Sequence, residues 1–584
     1  MGNAARREGS DVTRRVVSED GVSLAVTESG SGDVTVVCVH GYPDNGSLWQ
    51  PVVDALSDRY RVVVYDVRGA GESDKPAAQS AYHLDRLAAD LAAVVDAVSP
   101  DRPVHLLAHD WGAIQTWHAV TGEWLRGRVA SFTSISGPCL DHAGAWLRSR
   151  LRPSGLRELL RQVLHSWYIA FFQLPRIPEL AWRSGVAGRA LQRLDGSGAP
   201  PDTGDAIRGL ALYRENMLTR FTRPARREAD VPVQVLAPQA DGFVTPLVQT
   251  DISRWVPELW TRRVAGGHWL PRNRPDVVAR CTSELIDHIE GAPAVPSLRR
   301  AKVTSEERGR FARQVAVITG AGNGIGAATA IALAEEGADL VLTDVDELAV
   351  NRTAEQARRH GARAQAVACD VSDASAMADL AKQVAAEYGA PDIVVNNAGI
   401  GMAGPFTQTT LADWERVIDV NLWGVIHGCK LFAEQMIARG EGGHIVNLAS
   451  AAAYLPSKLL PAYATTKSAV LMLSECLRAE LTADGIGVTA VCPGFVHTNI
   501  TATTRFVGVD EGEQLRRQRV TTAAYQRRNY PPEKVAARIL RAIERDTPVA
   551  PAAAEAHIGL ALSRMTPAAV RAAARLDLTP GEAG

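Results

Sequence analysis

Residues 315–330 read VAVITGAGNGIGAATA: an apolar run of strand length, a glycine-rich turn, then small residues that suit a helix. No polar residue alternates within the run, so both faces of the strand must be covered, and a parallel sheet flanked by helices does this. The glycines let a backbone turn and a helix N-terminus come close to a pyrophosphate. The strand that opens this sheet lies in mid-chain, so the residues ahead of it need a fold of their own. At 584 residues the chain has room for one, since about 100–200 residues make an ordinary domain.

That leading part carries its own parallel α/β pattern. VTVVCV (34–39), RVVVYD (61–66) and VHLLA (104–108) alternate with helical stretches until about residue 289. Between about 140 and 229 the alternation stops. A segment rich in Arg, Leu and aromatic residues takes over, with helical spacing and turn signals such as GSGAPPDTGD, and reads as a helical cap inserted into a sheet domain. The predicted organisation is a flexible N-terminus over residues 1–15, a first domain over 16–289, an exposed linker over 290–310 and a second domain over 311–584. The βα alternation of the second domain runs to about Pro548, before an Ala-rich helical tail.

The formal net charge is −2 with acidic and basic residues interspersed, which excludes the electrostatic footprint of a nucleic-acid binder. The seven cysteines are widely spaced without a C-x-x-C pair, so neither a thiolate metal site nor a disulfide framework is expected. MGNAARREGSDVTRR has no apolar core of a secretory signal, and no stretch reaches about 18 uninterrupted apolar residues. A cytoplasmic protein follows, touching a membrane at most peripherally. RLRPSGLRELLRQVL in the cap sets arginines beside leucines, the pattern of a solvated amphipathic helix or of one that meets lipid.

HLLAHDWGA (105–113) runs an apolar strand into an aspartate between small residues, at the strained strand-to-helix corner where many α/β hydrolases hold a serine. Asp110 alone could be a helix cap. Its surroundings favour catalysis: HGYP (40–43) follows a strand, so the N–H of Tyr42 can join that of Trp111 as an oxyanion hole, while Asp241 and His268 each follow a later strand, in the chain order nucleophile, acid, histidine. These residues resemble the epoxide hydrolase branch of the α/β-hydrolase fold over residues 16–289. In that resemblance Tyr168 (SWYIAFFQLP) and Tyr213 (LALYRENML) hydrogen-bond the epoxide oxygen, Asp110 opens the ring as an alkyl ester, and His268, oriented by Asp241, activates water. A haloalkane dehalogenase uses the same triad with an indole donor, a part that Trp111 could play. Trp167, Phe171 and Phe172 point to a lipophilic substrate.

In the second half Gly320, Gly324 and Gly326 stand in T-G-x-x-x-G-x-G spacing, and Asp344 ends the next strand. A carboxylate there can accept from ribose hydroxyls and repel a 2′-phosphate, so NAD is expected before NADP; Asn323 and Val345 supply no basic residue. CDVS, NNAG, NLWG, NLAS, YATTK and PGFVHT follow in order. Residues 314–548 thus resemble the short-chain dehydrogenases/reductases. The resemblance assigns cofactor contacts to the turn (Gly320, Asn323, Gly324, Ile325, Gly326), to Asp344, Asp370 and Val371, to Asn397, Ala398 and Gly399, and to Pro493, Gly494, Val496 and Thr498. It assigns catalysis to Asn421, Ser450, Tyr463 and Lys467, the last two also holding the cofactor. Tyr463 and Lys467 are four apart and share a helical face, and a nearby ammonium is expected to lower the tyrosine's pKa.

The chain as a whole resembles bacterial fusions of an epoxide hydrolase with a short-chain dehydrogenase. That implies a bifunctional enzyme acting on a small, lipophilic molecule, with the dehydrogenase half self-associating and able to act in sequence on the diol that the first half makes. Two unrelated activities, or a scaffold role for one half, are the alternatives. HIGLALSRMTPAAVRAAARLD (557–577) could cover a substrate mouth, touch a membrane, form a dimer contact or pack on its own domain.

Overall fold

The computed structural model describes residues 12–195, 200–304 and 309–574. The chain divides into two units between Val303 and Thr304.

The first unit is built on eight strands: β1 (Val12–Val17), β2 (Ser23–Ser29), β3 (Thr35–Val39), β4 (Arg61–Tyr65), β5 (Val104–His109), β6 (Val129–Ile135), β7 (Val233–Pro238) and β8 (Leu259–Val264). Their order is β1-β2-β4-β3-β5-β6-β7-β8, parallel from β4 onward and antiparallel at β1-β2 and β2-β4. β3 and β5 are buried along their whole length, as strands with uninterrupted apolar runs must be. The expectation of a flexible N-terminus fails for residues 12–15, which pair with β2 (Val12 opposite Glu28, Arg15 opposite Ala25); residues 1–11 lie outside the described residues. A polar, arginine-bearing run can serve here because β1 is an edge strand.

The cap enters between β6 and β7 as helices Leu140–Ser149, Leu156–His165, Trp167–Phe172, Ile177–Arg183, Val186–Asp195 and Thr203–Thr222. Its two ends are clasped together: the Ala225 amide donates to Asp141 Oδ1 at 2.8 Å, and His142 Nε2 donates to the Arg227 carbonyl at 2.7 Å. The expected exposed linker is only partly so. A short helix, Pro296–Ala301, lies within it, and its fully buried Leu298 packs with Trp260 and Leu285 of the first unit. Leu298 is the one large apolar side chain in a polar, basic stretch, too faint a signal to read as structure. Residues 305–308 of that linker lie outside the described residues.

The second unit carries β9 (Val315–Thr319), β10 (Asp339–Asp344), β11 (Ala364–Ala368), β12 (Ile393–Asn396), β13 (Met402–Ala403), β14 (Gly443–Leu448), β15 (Ile486–Pro493), β16 (Arg505–Phe506) and β17 (Val549–Ala552). Seven of these form a parallel sheet in the order β11-β10-β9-β12-β14-β15-β17, and β13 pairs with β16. The order reverses direction at β9 and β12, the switch point where ligands bind in open parallel sheets. The alternation continues past Pro548: β17 pairs with β15, Ala490 opposite Val549. A four-residue strand containing Pro551 does not look like one in sequence, and an edge position is what makes that proline tolerable.

Candidate active sites

At the end of β5 the chain turns into the helix Trp111–Val120, with Asp110 between them at φ 52°, ψ −124°. That backbone is strained for a residue with a side chain, and the strain lifts the carboxylate out of the sheet edge. The corner closes because its neighbours are glycines. A Cβ on Gly137 would lie 2.1 Å from the Asp110 carbonyl oxygen, and one on Gly41 would lie 2.6 Å from both Asp110 Oδ1 and the Trp111 nitrogen.

The two carboxylate oxygens of Asp110 have different company. Oδ1 accepts from the Tyr42 N–H at 2.8 Å with the Trp111 amide alongside, while Oδ2 lies 3.5 Å from His268 Nε2. His268 Nδ1 donates to Asp241, 3.0 and 3.1 Å from its two oxygens, and Asp241 Oδ1 also accepts from the Phe243 and Val244 amides at 2.8 and 3.0 Å. Burial works against a charge on His268, but the carboxylates of Asp241 and Asp110 outweigh it and raise the imidazole to about 10. Burial likewise disfavours the Asp241 carboxylate, and His268 with the two amides overcomes it, holding this group below the ordinary range.

The cap tyrosines come to this carboxylate. The rings of Tyr168 and Tyr213 stand 5.9 Å apart and nearly perpendicular, and Tyr213 packs edge-on against Trp111 at 5.0 Å and Tyr42 at 5.3 Å. Burial raises both phenols, with the Asp110 charge adding to it, so both remain neutral O–H donors. Phe172 lies against Tyr42, Tyr168 and Tyr213 and Phe171 stacks behind it, but Trp167 is 67 % exposed and does not belong to this apolar wall as expected. The Trp111 indole N–H is buried beside Tyr213 with no well-directed acceptor among the described residues.

Sequence reasoning missed the groups that hold this assembly. Asn216, three residues after Tyr213, accepts from the Leu84 amide at 3.0 Å and donates to the Tyr82 and Leu212 carbonyls, both at 2.9 Å. Asp205, on the same helix, accepts from the Gly71 amide at 2.8 Å and from Lys75 Nζ at 2.7 Å. The helix that carries Tyr213 is thereby pinned to the sheet domain on both sides of the phenol. His109 Nε2 and Ser136 Oγ both donate to the His268 carbonyl, at 2.9 and 3.0 Å. Burial pushes His109 down to about 4, so it is a neutral donor there. The position of His109, polar at the end of an apolar strand beside Asp110, was the available signal for it; Asn216 and Asp205 look like any polar helix residues.

In the second unit the turn after β9 needs its glycines. Gly320 and Gly324 have φ of 63° and 57°, and a Cβ on Gly326 would meet the Gly320 carbonyl at 2.2 Å. The helix Gly324–Glu335 starts at Asn323, whose side chain makes no cap bond, so its first amides are left for a ligand. Asp344 closes β10 and accepts from the Gly322 amide at 2.8 Å and the Asp346 amide at 3.1 Å. Asn397 Nδ2 donates to the Thr319 and Gly320 carbonyls, tying NNAG to the turn, and the Ala398 amide donates to Thr319 Oγ1. Thr498 lies beside Gly324. Asp370 accepts from the amide and hydroxyl of Ser372, Val371 and Val496 are buried, and Gly494 donates to the Ala552 carbonyl where β15 ends at Pro493. Ile325 packs into the core beneath the turn. A glycine cradle, uncapped helix amides and a carboxylate at the end of β10 fit a dinucleotide.

Asn421 sits in a π-helical turn, Asp419–Trp423, where it holds Ile400 by both backbone groups, accepting from its N at 2.8 Å and donating to its O at 3.0 Å. A Cβ on Gly399 would lie 3.2 Å from Asn421 Oδ1 and 3.4 Å from Lys467 Nζ, so the three converge. The expected lowering of Tyr463 by Lys467 is not found. Burial raises Tyr463 and the hydrogen bond from Ser450 only opposes it, while burial pushes Lys467 down to about 8. The ammonium donates to the Leu448 carbonyl at 2.7 Å and is 5.9 Å from the Tyr463 ring centre, so its charge is turned to that carbonyl rather than to the phenol. At the other end of the unit, the helix Ala554–Met565 packs on its own domain, with the Tyr454 hydroxyl donating to the Ala556 carbonyl at 2.7 Å; residues 575–577 of that segment lie outside the described residues.

Comparison with known proteins agrees with this division. A family model described as alpha/beta hydrolase fold matches residues 34–272, and one described as short chain dehydrogenase matches residues 314–506. "Probable oxidoreductase EphD" of Mycobacterium tuberculosis is 41 % identical over 584 residues, covering 97 % of this chain and 98 % of the relative. Galactitol 2-dehydrogenase of Agrobacterium fabrum is 38 % identical over 187 residues, 32 % of this chain and 72 % of its own. A crystal structure of a short-chain dehydrogenase/reductase from Burkholderia phymatum in complex with NAD is 32 % identical, covers 48 % of this chain and 99 % of its own, and has a TM-score of 0.42. The second unit is a short-chain dehydrogenase domain with a site for a nicotinamide cofactor.

Proposed function

Since the chain belongs to the family of the mycobacterial oxidoreductase EphD, with an α/β-hydrolase domain ahead of a short-chain dehydrogenase domain, we propose that its first unit hydrolyses a lipophilic epoxide to a vicinal diol and its second oxidises or reduces an alcohol/ketone pair with NAD. The observation that carries the first half is the pair of neutral phenols, Tyr213 buried and Tyr168 half-buried, both raised in part by the one carboxylate of Asp110. Asp110 Oδ2 attacks a ring carbon, the ring C–O bond breaks, and the new alkoxide takes a proton from Tyr168 or Tyr213. Esterification removes one of the two carboxylates that hold a proton on His268, so the imidazolium can pass its proton to the phenolate left by the first step and only then act as a base. Water, giving its proton to His268, then attacks the ester carbonyl carbon. The oxyanion forms at Oδ1, which accepts from the Tyr42 amide beside the Trp111 nitrogen, and collapses to expel the diol oxygen, which takes the proton from His268; the carboxylic acid left on Asp110 then returns its proton to His268.

In the second unit Ser450 and Tyr463 would hold the substrate oxygen and Tyr463 would exchange its proton, with Lys467 and Asn421 placed behind it. When bound, the nicotinamide supplies or accepts a hydride at the carbon bearing that oxygen. Asp344 favours NAD, because a 2′-phosphate would meet its carboxylate. A diol from the first site is a substrate of the right class for the second, giving an α-hydroxy ketone.

The test is mass spectrometry of products from a lipophilic epoxide, with the full-length protein in ¹⁸O water, first without and then with NAD. Diol in the first tube, ¹⁸O in the Asp110 carboxylate, and ketone with NADH in the second support the reading. No diol sinks the hydrolase half; diol without ketone sinks the coupling. The Trp111 indole, without a well-directed acceptor among the described residues, favours one second reading, halide release from a haloalkane, and chloride or bromide appearing where no epoxide is turned over would establish it.

A further inference from the structure

The cap helix Leu156–His165 is inside out. Leu156, Leu160, Val163 and Leu164 recur at the i, i+4, i+7, i+8 spacing of one helical face, yet all four are exposed, from 48 % to 72 %. Trp167, just past the turn at Ser166, is 67 % exposed as well. The residue turned inward is polar. Gln162 Oε1 accepts from the N–H and Oγ1 of Thr245 at 2.9 and 2.7 Å, and Nε2 donates to Ser166 Oγ at 2.8 Å and the Phe243 carbonyl at 3.2 Å. Rolling the helix to bury its leucines would break the bonds to Thr245 and Phe243 at a buried amide, so the outward apolar face is fixed by the fold.

The border of this face is cationic. Between residues 148 and 165 five arginines stand against one carboxylate, Glu158, which is already paired with Arg150. Arg152, Arg157 and Arg161 are exposed and make no ion pair among the described residues. We propose that this face seats the protein on the surface of a bilayer containing anionic lipid. Leucines and a tryptophan sink to the acyl boundary while guanidinium groups reach the lipid phosphates. A second copy of the chain is the poorer occupant, because a two-fold contact through this patch sets the arginine border against itself. No helix among the described residues is long and apolar enough to cross the bilayer, so this is contact from one side.

The seat bears on the site without depending on its chemistry. Tyr168 directly follows Trp167, and Gln162 grips the loop of Phe243 and Thr245 that begins at Asp241. A molecule leaving the bilayer beside Trp167 therefore meets the cap at its phenol.

The test is co-sedimentation of the full-length protein with vesicles of phosphatidylcholine alone and of phosphatidylcholine mixed with phosphatidylglycerol. Binding to the mixed vesicles, weakened by salt, is expected. It should fall about tenfold or more in L160E/L164E and in R157E/R161E, whose side chains are exposed, so the thermal unfolding midpoint should not move. Absence of binding to either vesicle overturns the proposal. Equal binding to both, untouched by R157E/R161E, overturns the anionic-lipid part. Loss of self-association in L160E/L164E, read by sedimentation without vesicles, together with unchanged vesicle binding, assigns the face to a second copy instead.

Discussion

His268 in the first unit and Lys467 in the second are both buried bases beside the ends of central parallel strands, but their surroundings treat charge in opposite ways. Two carboxylates flank His268 and raise it to about 10; Lys467 donates to a carbonyl, with no carboxylate paired to it among the described residues, and burial lowers it to about 8. The site in the hydrolase domain is electrostatically closed, since Asp110, His268 and Asp241 supply one another's counter-charges. The dehydrogenase site is open: burial raises its phenol and lowers its ammonium, and no carboxylate among the described residues is paired with either. A site that needs no cofactor can be complete in the chain, and one that needs a dinucleotide is balanced with it.

The hardest break of this comparison is to remove each reacting group in turn. Asp110→Asn is expected to lower epoxide turnover by about 10⁴-fold or more while leaving NAD-dependent turnover unchanged; Tyr463→Phe should do the reverse, by about 10³-fold. If either variant silences both activities, the units do not act as separate sites. Tyr213→Phe comes next, with an expected loss of about 10²-fold in kcat for epoxide, because one of two oxyanion donors is gone and Tyr168 remains. Unchanged turnover removes Tyr213 from the mechanism.

The cofactor side can be sharpened in the same way. Asp344→Ser should narrow the preference for NAD over NADP by about tenfold or more, read as the ratio of the two kcat/KM values. An unchanged ratio would show that the carboxylate, whose oxygens accept from Gly322 and Asp346 in this structure, serves only the turn.

Both folds were legible in the sequence wherever backbone chemistry demands particular residues: buried parallel strands in β3, β5 and β9, glycines at Gly320 and Gly324, and a lone aspartate at a strand-to-helix corner. What stayed hidden were contacts made by ordinary polar residues across long separations. Asn216 finds Leu84, and Gln162 finds Thr245, only after the cap has folded back onto the sheet domain. β17 was missed because the sheet's edge relaxes the very rules that make strands recognisable. Lys467 was misjudged because helical spacing shows that two side chains share a face and not where their charged ends point.

Gln162→Leu offers a subtler break, because it loosens the loop of Asp241 without touching substrate. We expect kcat for epoxide to fall about threefold to tenfold with KM little changed, and NAD-dependent turnover to stay as it was. Gln162→Glu, which keeps the acceptor for Thr245, should recover part of the loss; no difference between the two variants would mean that the contact only fills space.

The smallest expected effect follows from the opposite charges of the two bases. His268 is raised in the fold above its unfolded value of about 6.5, so its contribution is fully present below that pH and is lost as pH rises through about 10. Lys467 is lowered to about 8 from an unfolded value of about 10.4. Burying its charge therefore costs stability below about pH 8, and the cost disappears as pH rises from there to about 10. Calorimetry of the full chain should show the advantage of wild type over His268→Gln shrinking by several degrees between pH 7 and 10. Over the same range Lys467→Met should lose whatever advantage it has over wild type. Parallel trends for the two variants would mean that the bases share one electrostatic setting, and the contrast drawn between the units would not hold.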